Sequence, residues 1–118
     1  MEILTANQLA EKASVPGETG IWRYPDELVA KQLEKLDGWK LTDDGRRIRK
    51  EWTVKNFLAG LAFFEKVGVI AEEICHHPDL HLVGYKNLAI EIWTHTLDGL
   101  SENDFILAAK IDRQVDTA

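Results

Sequence analysis

With 118 residues, 45% of them hydrophobic, the chain has material for one compact domain built on one core. Its formal net charge of -6 gives no general basic field for phosphate backbones, so nucleic acid is not an expected direct ligand, although Arg46-Arg47-Arg49-Lys50 is locally basic. A single cysteine, Cys75, cannot close an intrachain disulfide, and the first residues carry acids and no apolar run suited to a signal peptide or membrane span, so a cytoplasmic setting is expected.

From residue 1 to 24 the pattern is mixed: Leu4 to Leu9 could start a short helix, but Pro16-Gly17 and Gly20 break any period, and the stretch is read as an N-terminal extension to a domain spanning 25–118. Pro25-Asp26-Glu27 opens a helix whose Leu28, Val29, Leu33 and Leu36 share roughly one face and whose end is marked by Gly38. Two strand-like runs, Trp39 to Thr42 and Arg47 to Trp52, flank Asp43-Asp44-Gly45, where Asp-Gly supplies the positive φ that a tight hairpin requires. Thr53 is a candidate cap for a long helix over about 54–75, with Phe57, Leu61, Phe64, Val67, Gly68, Ala71 and Ile74 on its buried face; Pro78 disfavours helical backbone at His77 and bounds it.

A short extended piece from Leu80 to Val83 and turn residues around Gly84 lead into a strand from Leu88 to His95. There Leu88, Ile90, Ile92 and Thr94 share one face, and Ala89, Glu91, Trp93 and His95 the other. Asp98-Gly99 turns the chain, and Ser101 with Asp104 resembles a capping box opening a last helix through Phe105, Ile106, Ala109 and Ile111. The resulting order is α-β-β-α-β-β-α, an α+β fold with a four-stranded antiparallel sheet and its helices packed on one face. A free antiparallel edge is a liability that pairing with a second copy would remove, so at least a homodimer is expected.

Two histidines, His76 and His77, are adjacent at a helix terminus and a third, His95, ends a strand. Imidazole titrates nearest neutrality, so such a group could protonate a leaving hydroxyl and take a proton from nitrogen without a cofactor; the simpler alternative is capping, a histidine complementing a helix C-terminus. Glu72, one turn before His76, could hold one ring in place. Cys75, His76, His77, His81 and His95 are all possible metal ligands, but sequential residues point in different directions and no paired zinc spacing is present, so no metal is expected.

Read as a string, Glu72, three residues, His76-His77-Pro78, six residues, Tyr85, nine residues, His95, eight residues and Asp104 resembles the signature of the pterin-4a-carbinolamine dehydratases. The similarity runs from about Pro25 to Asp112 and includes Gly99-Leu100-Ser101. It implies an α+β fold, no metal or cofactor, loss of water from a 4a-hydroxytetrahydropterin to give quinonoid dihydropterin, and dimers or tetramers. It also implies roles: His76, His77 and His95 as acid, base and binding groups, Glu72, Asp104 and Pro78 as support, and Trp39 of Gly38-Trp39 packing against the flat pterin. Cys75 departs from the Asp or Asn often found there, and His81 lies outside the motif. A binding role is the runner-up, because vertebrate relatives in this family also act as dimerisation partners of a transcription factor.

Overall fold

The computed structural model describes residues 3–14 and 21–115. Within them the chain forms α1 (Ala6–Glu11), α2 (Asp26–Leu33), β1 (Lys40–Leu41), β2 (Ile48–Thr53), α3 (Phe57–Ile74), β3 (Asp79–Val83), β4 (Asn87–Ile92), a 3-10 turn (His95–Leu97) and α4 (Glu102–Val115). The expected order appears, with one further helix before it. All strand pairs are antiparallel and the sheet runs β1-β2-β4-β3. Pro16, Gly17 and Gly20, expected to interrupt regular structure, lie outside the described residues.

The register decides the two faces of the sheet. Ile48, Lys50 and Trp52 of β2 pair with Ile92, Ile90 and Leu88 of β4, and Leu80 and Leu82 of β3 pair with Ile90 and Leu88. Side chains directly opposite share a face, so this set meets the helices while Arg49, Glu51, Glu91, Asp79 and His81 line the other. At the hairpin between β1 and β2, Gly45 takes φ +74° and Asp44 accepts from the Thr42 hydroxyl at 2.6 Å and the Arg46 amide at 3.0 Å. Those bonds, the Thr42 one foremost, hold the Asp44 carboxyl below the usual carboxylate range.

The core is organised around α4 rather than α3. Phe105, Ile106, Leu107, Ala108 and Ile111 have no exposed surface, and four consecutive buried positions cover every side of a helical turn, so the first half of α4 is packed all round. On α3, by contrast, Val67 and Ala71 are buried, whereas Phe57 and Leu61, expected in the core, are 49% and 45% exposed, and Phe64 is only partly buried against the core. The helical period is present, but its apolar stripe is wider than the groove that α4 and the sheet offer it. The helix also starts later than expected, at Phe57, because Asn56 rather than Thr53 accepts from the Ala59 amide at 2.8 Å.

The stretch before residue 25 contributes to the same core. Thr5 and Gln8 form a reciprocal capping box for α1, and Leu9 is fully buried. Gln32, itself buried, accepts from the Leu4 amide at 3.1 Å and donates to the Leu4 carbonyl at 2.8 Å, so its amide imitates a strand partner for that segment. Lys110 donates to the Ala10 carbonyl at 2.8 Å, and the Ser14 hydroxyl donates to that of Ile74 at 2.8 Å.

Candidate active site

The end of α3 aims the histidine pair. Cys75 adopts left-handed backbone at φ 54°, ψ 41°; its amide donates to the Glu72 carbonyl, and the His76 amide reaches back to that of Ala71 at 3.1 Å. This is a Schellman closure with cysteine in the position that glycine usually fills. It stops the helix at Ile74, ahead of the boundary that Pro78 imposes, so His76 and His77 leave on non-helical backbone and no longer share the face of Glu72 as one helical turn would dictate. The ring that Glu72 holds is therefore that of His77, with Nε2 2.8 Å from the Glu72 carboxylate, both side chains well exposed.

The pairing of β3 with β4 brings the other elements to this point. Asp79 pairs with Glu91, so the residues just before β3 and just after β4 meet at one end of the hairpin. There His76 Nε2 lies 2.5 Å from Asp104 Oδ1, with the carboxylate fully buried and the imidazole 13% exposed. The other carboxylate oxygen, Oδ2, accepts from the Thr94 hydroxyl at 2.9 Å and from the Ser101 amide at 2.8 Å, while the Thr94 and Ser101 hydroxyls lie 2.7 Å apart. Asp104 thus closes one arm of the expected capping box and holds a histidine with its free oxygen.

His95 does not end a strand: β4 stops at Ile92, Thr94 bridges to Gly99, and His95 opens the 3-10 turn with an exposed ring. It is one residue from Thr94, and its ring centroid is 4.1 Å from that of Trp93. Pro78 is half-buried and, with His77, Glu72, Gly68, Ala71 and Leu80, lines an open hollow of about 680 Å³ beside the end of α3. Two residues quoted with the motif lie elsewhere. Trp39 is 4% exposed, donates from its indole N–H to Asp112 at 2.9 Å and meets Trp52 edge-on at 5.8 Å, so it belongs to the core. Tyr85 sits in the turn between Val83 and Asn87, the far end of the hairpin, about 15 Å of strand from the histidines.

The basic run is consumed locally. Arg46 reaches Asp98 at 3.4 Å, Arg47 reaches Asp79 and Glu91, Arg49 reaches Glu51 and Glu91, and Lys50 reaches Asp112 at 2.9 Å. Burial pushes the Glu91 carboxyl up, but the hydrogen bonds from Arg49 and Arg47 outweigh it and leave the group below its ordinary value. Among the described residues no group of three or more His, Cys, Asp and Glu side chains is placed to hold a metal ion, and no helix is long and apolar enough to cross a membrane. Thr94 and Trp93 are the residues that the motif missed; Trp93 was legible only as the same-face neighbour of His95, two positions before it.

The fold is thus an α+β sheet that carries one buried and one exposed carboxylate-imidazole contact at one end. The model of the family described as pterin 4 alpha carbinolamine dehydratase matches residues 23–114, and the chain belongs to that family. It is 50% identical over 107 residues to pterin-4-alpha-carbinolamine dehydratase 2, mitochondrial, of Arabidopsis thaliana, covering 88% of this chain and 57% of that protein. A putative pterin-4-alpha-carbinolamine dehydratase of Dechloromonas aromatica is 38% identical over 92% of this chain and 95% of its own. Among solved structures, the transcriptional coactivator/pterin dehydratase of Brucella melitensis superposes with a TM-score of 0.72 at 26% identity, over 78% of this chain and 97% of that one.

Proposed function

We propose that this chain is a dehydratase acting on a 4a-hydroxytetrahydropterin, in tetrahydropterin recycling, with His76, His77 and His95 as its acid, base and binding groups. In the reaction a proton reaches the 4a-hydroxyl, the carbon-oxygen bond breaks, and the adjacent ring nitrogen gives up its proton, leaving quinonoid dihydropterin and water. The observation that carries the reading is the contact of His76 with a fully buried Asp104. A carboxylate held by two donors fixes the ring and supports its charged form when a proton arrives, an arrangement suited to a histidine serving as a general acid or base. Family membership supplies the substrate class.

The test follows the absorbance of freshly generated 4a-hydroxytetrahydropterin with the purified full chain. Dehydration above the buffer rate, without added metal, is the expected result; folded protein that leaves the rate unchanged overturns it, and activity lost to a chelator and restored by zinc assigns the chemistry to a metal. A second reading, a protein-binding module, is favoured by Phe57, Leu58, Leu61 and Val69, all exposed on α3, and by the likeness to the Brucella protein, described as a transcriptional coactivator as well as a pterin dehydratase. Binding of that kind survives replacement of the histidines, whereas catalysis does not. The exposed β3 edge supports assembly as a homodimer or homotetramer, checked by sedimentation at micromolar concentration, and cell fractionation checks the proposed cytoplasmic location.

A further inference from the structure

We infer that Trp93, with Arg47 on its ring, is a positioning residue that orients His95; the inference rests on the dehydratase reading above. His95 is exposed on a short turn, where an imidazole unassisted by packing samples several rotamers and is in place for only a fraction of encounters. The indole of Trp93 restrains it, with ring centroids 4.1 Å apart and planes inclined at 46°. The indole is in turn steadied by the Arg47 guanidinium, whose central carbon is 4.4 Å from its centroid. Arg47 is itself tethered, with Nη1 3.1 Å from Glu91 and 3.4 Å from Asp79. A neighbouring tie, Arg46 to Asp98 at 3.4 Å, joins the same hairpin to the far side of the turn that carries His95.

Trp93 is not anchored as a structural tryptophan ordinarily is. Its indole N–H is shielded from solvent and has no hydrogen-bond partner among the described residues, in contrast with Trp39, whose N–H is bonded to Asp112. What Trp93 offers its surroundings is its ring, and that ring meets a tethered cation and an imidazole of the candidate site.

Turnover of the full chain with freshly generated 4a-hydroxytetrahydropterin is compared for the parent, Trp93→Phe, Trp93→Ala, His95→Ala and the double variant Trp93→Ala with His95→Ala. Loss of an aromatic contact of this kind is expected to lower kcat about three- to tenfold with KM little changed, and Trp93→Phe to restore most of it. The double variant is expected to turn over no more slowly than His95→Ala alone, because a residue acting through His95 has nothing left to act on. Parental kcat in Trp93→Ala, or equal slowing in the presence and absence of His95, overturns the assignment. Histidine-labelled protein gives an arm that needs no catalysis: the His95 ring signals move in Trp93→Ala and in Arg47→Lys while those of His77 stay, and unmoved His95 signals overturn the stack. A parent without turnover sinks the dehydratase reading alone, and the spectra still decide the contact.

Discussion

Replacing Asp104 by asparagine separates its two duties. In Asp104→Ala the Ser101 amide, the Thr94 hydroxyl and His76 Nε2 all lose their acceptor in a region where Ser101 and Asp104 have no exposed surface. The Thr94 and Ser101 hydroxyls retain each other, so the loss is dominated by the amide and the imidazole, at about 1–3 kcal/mol for each buried group left unpaired and roughly 3–5 kcal/mol in all. Asparagine keeps the shape and one oxygen to serve Ser101 and Thr94, so Asp104→Asn should cost about 1–2 kcal/mol, mostly the loss of negative charge at a helix N-terminus. Its amide then faces His76 as a donor, which forces the ring proton onto Nδ1 and withdraws the charge that supports imidazolium. Turnover should fall by about a hundred- to ten-thousand-fold, the range for losing a well-placed acid-base group. Thermal unfolding and the dehydration assay, run side by side, check both halves. An Asn variant that is folded and turns over like the parent would falsify the coupling of Asp104 to His76 and leave Asp104 a helix cap.

Single changes His76→Ala and His95→Ala should each slow dehydration while the double variant is nearly inactive, with circular dichroism confirming native secondary structure; parental turnover in all three makes the histidines structural. Glu91→Ala should destabilise the protein by about 1–3 kcal/mol at neutral pH by freeing one acceptor from both Arg47 and Arg49. Because the folded-state value of Glu91 is depressed, that stabilisation is fully present above the ordinary carboxylate range and is lost as pH falls through the folded value, so denaturation midpoints of parent and variant should converge in acid; a constant gap with pH contradicts this. Asp112→Ala removes the partner of both Lys50 and the Trp39 indole, each 2.9 Å away, and should lower stability by about 2–4 kcal/mol with kcat unchanged in folded enzyme, since neither partner reaches the histidines. Cys75→Gly should raise stability by about 1 kcal/mol by relieving left-handed backbone, measured by denaturant midpoint.

Much of the fold was legible because its signals are local. The Asp-Gly hairpin, the alternation along β4 and the Ser101/Asp104 spacing each report on backbone within a few residues; the hairpin appears where read, β4 stops at Ile92 short of the expected His95, and one arm of the capping box forms. The motif also named the residues that form the two carboxylate-imidazole contacts, but which ring meets Glu72 was not legible, because nothing in a cysteine announces left-handed backbone and an early helix stop. Burial was harder. The stripe of α3 and the run Phe105 to Ala109 are both apolar, and only the tertiary arrangement decides that α4 occupies the centre while Phe57 and Leu61 stay at the surface. Trp39 illustrates the limit of a motif: its position matches the family pattern, yet its indole is spent on Asp112 and Trp52 in the core.

The double use of Asp104 couples helix fraying to protonation chemistry. Any excursion that unwinds the first turn of α4 withdraws the carboxylate from His76 in the same motion, and any ligand that draws on the His76-Asp104 contact resists that excursion by mass action. The Ser101 amide, which donates to the same carboxylate, becomes an internal gauge: the rate at which it exchanges with deuterium counts the fraction of time during which the site is disassembled.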